Sequence, residues 1–133
     1  MKLEPEDITG GINMRINIKP LSVNECWQGK RFKTPKYKSY EIELLYRLKC
    51  LAIPEPPYEL NITFGLSNVL SDWDNPVKPF QDILQKKYGF NDKNIFKAVV
   101  IKEKVSKGNE FIDFEIKPYL LDQTDSDKLS NLF

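Results

Sequence analysis

The sequence has 133 residues, of which 41% are hydrophobic, and a formal net charge of +1. A chain of this length is expected to form a single domain, residues 1–133, with enough apolar content for a core. The absence of histidine excludes a Ser-His-Asp triad, a Cys-His dyad and histidine-ligated zinc. Any acid–base or metal chemistry therefore has to use carboxylates and lysines.

The N-terminal residues and the cysteines favour a cytoplasmic protein. Glu4, Glu6 and Asp7 stand where a secretory signal would be basic and then apolar. No apolar run in the sequence reaches the roughly 18 residues of a membrane span. We therefore expect a cytoplasmic protein without membrane contact, in which Cys26 and Cys50 are reduced thiols and not a metal pair.

Apolar periodicity predicts one strand and one helix in the first half of the chain. Residues 14–19 alternate as in a strand, which Pro20 ends. Residues 36–52 have the three- and four-residue spacing of a helix, with Thr34 as N-cap and Pro35 in the first turn. Its predicted apolar stripe comprises Tyr37, Tyr40, Ile42, Leu44, Leu45 and Leu48.

The second half predicts a further helix and three strands. Residues 58–66 alternate as a strand, and residues 77–88 form a helix that begins after Asn75 as N-cap and ends at Gly89. Residues 95–105 and 110–117 are predicted to be the two arms of a hairpin. The expected fold is α+β, with a small mixed sheet of about four strands and two main helices; the core covers about residues 14–117, and residues 118–133 form a polar acidic tail.

A stretch between Pro20 and Lys38 combines basic side chains with aromatic rings. Its bases are Lys30, Arg31, Lys33, Lys36 and Lys38, and its rings are Trp27, Phe32 and Tyr37. Cations neutralise phosphates and rings stack on bases, so this composition favours a nucleic-acid-binding surface. The alternative is a solvated loop with one buried tryptophan.

The distribution of charge also favours a polyanionic partner. Residues 28–107 contain 15 Lys and Arg against 9 Asp and Glu, whereas the rest of the chain contains 5 against 10. A basic body with acidic ends fits a surface that meets a polyanion. An ordinary solvated surface is the alternative interpretation.

The most informative stretch is residues 70–92, where two carboxylates lie between a predicted strand and a predicted helix. Asp72 and Asp74 are two residues apart and therefore point to the same side of an extended backbone. Adjacent carboxylates repel each other unless a cation joins them. Mg²⁺ prefers oxygen ligands and binds through one or two carboxylates plus substrate phosphate. The pattern therefore predicts a Mg²⁺ site, with Asp92 as a candidate third ligand.

Lys78 follows Asp74 by one helical turn and is predicted to face the same site. There its charge would stabilise the negative charge that develops during phosphoryl transfer, while the metal activates water. Asp82 lies four residues after Lys78 and is placed to hold it. The alternative is that Asp72, Asp74 and Asn75 cap the helix, with Lys78 and Asp82 as a surface ion pair.

The run SDWDNPVKPFQDIL followed by GFNDKNI resembles the RusA family of Holliday-junction resolvases, which is common in phages and prophages. The shared pattern is Asp-x-Asp-Asn, a lysine three residues later, an aspartate four residues after that, and a later acidic pair. The stretch PLSVNECWQGKRFKTPKYKSYE is also similar to the N-terminal pattern of the family, so the resemblance covers roughly residues 14–117. Asn91 departs from the acidic pair, and residues 67–71 lack the arginine run of some members.

The resemblance implies a site and an activity. Asp72, Asp74 and Asp92 correspond to metal-binding catalytic carboxylates, and Lys78 to the catalytic lysine. The implied protein is a homodimer in the bacterial host cytoplasm. It would use Mg²⁺, or Mn²⁺ as a substitute, to nick opposed strands of four-way DNA junctions in recombination and repair. Phosphate contacts are expected from Lys30, Arg31, Lys33, Lys36, Lys86 and Lys87, and further from Lys102 and Lys104.

Three other functions remain open at this point. The first is a non-catalytic module of the same fold that binds branched DNA. The second is a metal-dependent phosphatase or nuclease that acts on another substrate. The third is a structural or interaction protein whose acidic cluster only caps a helix, which predicts no effect of Mg²⁺ on stability or activity.

Overall fold

The structure is a computed structural model that describes residues 11–30, 32–68, 70 and 72–120. The strands in it are β1 (Ile12–Ile16), β2 (Trp27–Gln28), β3 (Phe32–Lys33), β4 (Tyr58–Leu66), β5 (Ile95–Lys104) and β6 (Phe111–Pro118). The helices are α1 (Pro35–Arg47) and α2 (Val77–Tyr88), with short 3₁₀ helices at Val23–Glu25 and Asp92–Asn94. None of the described helices is long and apolar enough to cross a membrane.

Four strands form one mixed sheet in the order β1-β6-β4-β5, and β2 pairs with β3 in a separate two-stranded ribbon. β4 runs parallel to β5 and antiparallel to β6, and β1 runs antiparallel to β6. The predicted α+β fold, with a small mixed sheet and two main helices, is confirmed. β4, α2 and β5 make a parallel crossover unit, in which the helix returns the chain to the starting end of the sheet.

The predicted hairpin of residues 95–105 and 110–117 is wrong, although both strands form. β4 lies between β5 and β6 and pairs with each of them. The turn at residues 106–109 does form, and the Asn109 amide donates to the Ser106 carbonyl at 3.0 Å. β4 takes the central position because its alternate residues, from Tyr58 to Phe64, are all buried in the core. The chain therefore crosses the end of β4 after the turn.

Pairing partners explain the boundaries of the terminal strands. β1 covers residues 12–16 instead of 14–19, because its partner β6 begins at Phe111 and its last pair joins Ile16 to Ile112. β6 extends through Pro118, which was expected to begin the polar tail. Residues 121–133 of that tail lie outside the described residues.

The apolar face of α1 agrees with the prediction except at two points. Thr34 caps the helix, accepting a hydrogen bond from the Tyr37 amide at 3.1 Å. The helix ends at Arg47 and not at residue 52, because Leu48 adopts an extended backbone while its side chain remains buried. Ile42 is 68% exposed, since it lies two residues from both Tyr40 and Leu44 and so faces away from them.

Gly65 lies against the ring of Phe111 on the neighbouring strand, and a side-chain carbon there would overlap that ring. Phe111 is buried, and the Arg15 guanidinium lies over its ring at 3.9 Å from the centroid. We therefore expect Gly65→Ala to lower the free energy of unfolding by about 1–3 kcal/mol, because the ring has no free space to move into. Urea denaturation measures this value, and adding Phe111→Leu should recover part of the loss. A Gly65→Ala protein as stable as the wild type would contradict the packing.

Candidate metal and nucleic-acid site

Asp72 and Asp74 lie in the turn that joins β4 to α2. Backbone hydrogen bonds fix this turn: the Asn75 amide donates to the Asp72 carbonyl at 3.3 Å and the Val77 amide to the Asp74 carbonyl at 3.0 Å. The Val23 amide donates to the Asn75 carbonyl at 2.8 Å, which ties the turn to the first 3₁₀ helix. Because the main chain makes these bonds, the carboxylates are not needed to hold the turn.

Both carboxylates are exposed, and neither makes a hydrogen bond or ion pair with another described residue. They also do not cap α2. The N-cap is Pro76, not the predicted Asn75, and no side chain makes a cap hydrogen bond there. Pro76 already has helical backbone angles, so the helix begins without a side-chain cap. The interpretation of Asp72 and Asp74 as helix caps is therefore wrong within the part of the chain described.

Lys78 forms the predicted ion pair with Asp82, and the distance from its Nζ to Oδ1 is 2.8 Å. This hydrogen bond raises the pKa of Lys78 above its usual 10.5, against the opposing effect of partial burial. The negative charges of Asp82 and Asp92 raise it further. The lysine is therefore fully protonated at neutral pH, and Asp92 lies within electrostatic range of it.

Asp92 begins the second 3₁₀ helix, and its side chain is exposed. The preceding Asn91 caps that short helix, because its side chain accepts a hydrogen bond from the Lys93 amide at 3.0 Å. Asn91 thus has a structural role at the position where some members of the resembled family carry an acid.

The three predicted metal-binding carboxylates lie on two segments of the chain, one on either side of α2. No group of three or more His, Cys, Asp or Glu side chains among the described residues is arranged to hold a metal ion. Asp72 and Asp74 lie in the turn before α2, and Asp92 follows that helix. The negative charge of Asp92 nevertheless acts on Lys78 in the first turn of α2.

The stretch rich in bases and aromatic rings folds into a short ribbon, β2–β3, with a tight turn at Gly29, whose φ is 65°. Phe32 on this ribbon is 75% exposed and Trp27 is 44% exposed. The Trp27 ring packs edge-on against Tyr37 at a centroid distance of 5.7 Å. Lys30 is exposed in the turn, and the adjacent Arg31 lies outside the described residues.

Electrostatic effects place the base of this ribbon near the Lys78–Asp82 pair. Burial raises the pKa of Tyr37 to about 12, and the charge of Asp82 contributes to that shift. Burial likewise raises the pKa of Cys26 to about 11, with smaller contributions from Glu25 and Asp82. Cys26 and Tyr37, at the base of the ribbon, therefore lie within electrostatic range of Asp82, the partner of Lys78.

Several lysines predicted to contact phosphate also make contacts within the protein. Lys33 and Lys86 both bind Glu41, at 2.9 Å and 3.0 Å, and link β3, α1 and α2. Burial opposes the ionisation of Glu41, but the two lysines outweigh it and lower its pKa. The remaining contacts join Lys36 to Glu25 at 3.6 Å and Lys87 to the Leu45 carbonyl at 2.9 Å. Lys30 has no ion pair to another described residue and is exposed.

Two apolar side chains beside the carboxylates had not been assigned to the site from sequence. Leu70 is 91% exposed and Trp73, between the two aspartates, is 57% exposed. Large apolar groups that face solvent next to exposed carboxylates are suited to contact the bases or sugars of a nucleic acid. The signal in the sequence was the position of a tryptophan between two aspartates.

No protein-family model matches the chain, and no curated protein matches it significantly. The resemblance to the RusA family therefore depends on the motifs quoted above.

Proposed function

We propose that the protein is a Mg²⁺-dependent endonuclease that resolves four-way DNA junctions by paired strand nicks. It would act as a homodimer in the cytoplasm of a bacterial host, during recombination and repair. The observation that carries the proposal is a pair of exposed carboxylates, Asp72 and Asp74, on a turn that the backbone fixes without their help. The motif resemblance gives the proposal its substrate.

Asp72 and Asp74 fit the ligand preferences of Mg²⁺. This ion retains several waters and binds to one or two carboxylates together with substrate phosphate. Both side chains are solvent-exposed and make no ion pair with another described residue, so their charges are available to a metal and a phosphate. Mn²⁺ also accepts carboxylate and water ligands and is the expected substitute. Asp92 supplies a further carboxylate on the side of Lys78.

Lys78 is the residue proposed to stabilise the transition state. When bound, Mg²⁺ activates water and neutralises charge on the phosphoryl group. Lys78 is protonated at neutral pH, and its hydrogen bond to Asp82 raises its pKa further and orients it, so it presents a fixed positive charge to the developing negative charge. Asp82 acts as a positioning residue, since it orients the lysine across one helical turn.

The β2–β3 ribbon is proposed to contact DNA through an exposed ring. Phe32 is 75% exposed, and the turn beside it carries Lys30. We expect Phe32→Ala to weaken junction binding about tenfold, because a stacked base loses its aromatic partner. The matched control is Tyr46→Ala, which removes an 88% exposed ring near the end of α1. Fluorescence anisotropy with a labelled four-way junction measures both variants, and equal affinities would contradict a DNA-binding role for the ribbon.

A substrate panel distinguishes this function from its rivals. The purified protein is incubated with Mg²⁺ and with linear, flapped or four-way DNA. Preferential cutting of the four-way junction supports the proposal, and equal cutting of all three favours a nuclease for another substrate. Binding without cutting favours a non-catalytic module, although such a module has no need of exposed carboxylates that face phosphates.

A further inference from the structure

β5 is a long strand at the edge of the four-stranded sheet. Nine of its ten residues pair with β4 on one side, with Phe96 at a shift in register, and no described strand pairs with its other side. The backbone N–H and C=O groups on that outer side therefore have no partner strand in the described part of the chain. A long exposed edge of this kind is a template for pairing with another strand.

One face of β5 carries an ordered set of exposed side chains. The residues paired with Glu59, Asn61, Thr63 and Gly65 of β4 are, in order, Lys97, Val99, Ile101 and Glu103. Val99 is 39% exposed and Ile101 is 52% exposed, although the neighbouring positions of β4 on this face are mostly polar. The order along the strand is base, apolar, apolar, acid.

We propose that two copies of this chain associate by antiparallel pairing of their β5 strands around Val100. Residues equally distant from Val100 then face each other. Lys97 of one copy lies opposite Glu103 of the other, and Val99 lies opposite Ile101. Opposite charges and apolar pairs directly across an antiparallel ladder are stabilising. Each pair occurs twice because the interface is symmetric, and the two sheets become continuous.

The sequence of β5 selects this register over its neighbours on the same face. A shift by two residues in one direction places Lys97 opposite Ile101, and a shift in the other direction places Val99 opposite Glu103. Both alternatives desolvate a charged group against an apolar side chain, which is unfavourable. On this face, only the arrangement centred on Val100 matches charge with charge and apolar with apolar. On the opposite face it places Lys102 opposite Ala98 and Lys104 opposite Phe96, where the apolar stems of the lysines lie along those side chains and the charged ends reach water.

This interface identifies the surface through which the homodimer of the proposed function forms, but it does not depend on the nuclease chemistry. Association can be measured without DNA or Mg²⁺, so a failure of the interface and a failure of the catalytic proposal give different results. A monomeric protein that still cuts junctions would overturn the interface and the homodimer of the proposed function, but not the nuclease activity. A dimer through β5 without cleavage would overturn only the catalytic proposal.

The test reverses the charges of facing side chains at the proposed interface by substitution. Analytical ultracentrifugation then measures the mass of the full-length protein over a micromolar concentration series. Glu103→Lys places like charges opposite each other twice and is expected to raise the dimer dissociation constant at least about tenfold. The double variant Lys97→Glu with Glu103→Lys restores opposite charges and is expected to restore the wild-type value. Glu103→Lys is the preferred single variant, because Lys97 also lies 3.9 Å from Glu59 within one protomer.

Controls separate the interface from effects on folding. Lys107→Glu changes an exposed charge in the turn after β5 and should leave the dissociation constant unchanged. Thermal unfolding should show that all variants remain folded. A wild-type protein that is monomeric throughout the series overturns the proposal. So does a dimer that Glu103→Lys does not weaken, or one that the double variant fails to restore.

Discussion

Asp74→Asn is expected to abolish Mg²⁺-dependent cleavage of a four-way junction, with a loss on the order of 10³-fold or more. The substitution removes the charge of a metal ligand but keeps the size of the side chain. The turn should be preserved, because the Val77 amide donates to the backbone carbonyl of residue 74 and not to its side chain. Junction binding should be equal or tighter, since one negative charge facing the phosphates is lost.

Single-turnover cleavage with labelled junction, together with binding in Ca²⁺ or EDTA, measures both parts of this expectation. Asp113→Asn is the matched control, because Asp113 is a surface aspartate on the β6 strand that pairs with Arg15 at 3.3 Å. A fully active Asp74→Asn protein would remove Asp74 from the metal site. A variant that loses cleavage only because it has unfolded is recognised by its circular dichroism spectrum.

Lys78→Gln is expected to lower the cleavage rate about 10²-fold while junction affinity changes little. The lysine is protonated and oriented by Asp82 at 2.8 Å, so its removal takes away a preorganised positive charge. Asp82→Asn should have a smaller effect on the rate. It should also lower the pKa of Lys78, so that activity falls at a lower pH on the alkaline side of the pH–rate profile.

The pH–rate profile of cleavage, measured under saturating junction, separates these roles. Lys107→Gln provides the control for loss of a surface lysine at the turn after β5. If Lys78→Gln cuts at the wild-type rate, Lys78 has no part in the chemistry. If it loses binding to the same extent as cleavage, the lysine is a phosphate contact and not a transition-state stabiliser.

The sequence predicted those elements whose periodicity and end signals agree. Residues 58–66 and 77–88 form β4 and α2 as expected, with Gly89 ending the helix in a left-handed conformation. The end of α1 was misplaced because Leu48 continues the apolar spacing in an extended backbone. The order of β4, β5 and β6 could not be predicted from the turn at residues 106–109, because strand order depends on which strand is buried in the centre of the sheet.

The candidate site was predicted where it depends on local spacing. The position of Asp72 and Asp74 between a strand and a helix, and the Lys78–Asp82 pair, follow from residues close together in the chain. The position of Asp92 relative to Asp72 and Asp74 was not predicted from local spacing, because α2 lies between them in the chain. The ion pairs of Lys33 and Lys86 with Glu41 were not predicted either, because the three residues lie on different elements.

The most direct test of the central claim is cleavage of a four-way junction labelled on each opposed strand in turn, with Mg²⁺ or with EDTA. The account predicts symmetrically placed nicks on both opposed strands that require the metal. Absence of nicks with every divalent metal tried, despite tight junction binding, would contradict the nuclease assignment and leave a DNA-binding module. Neither binding nor cleavage would contradict the proposed function altogether.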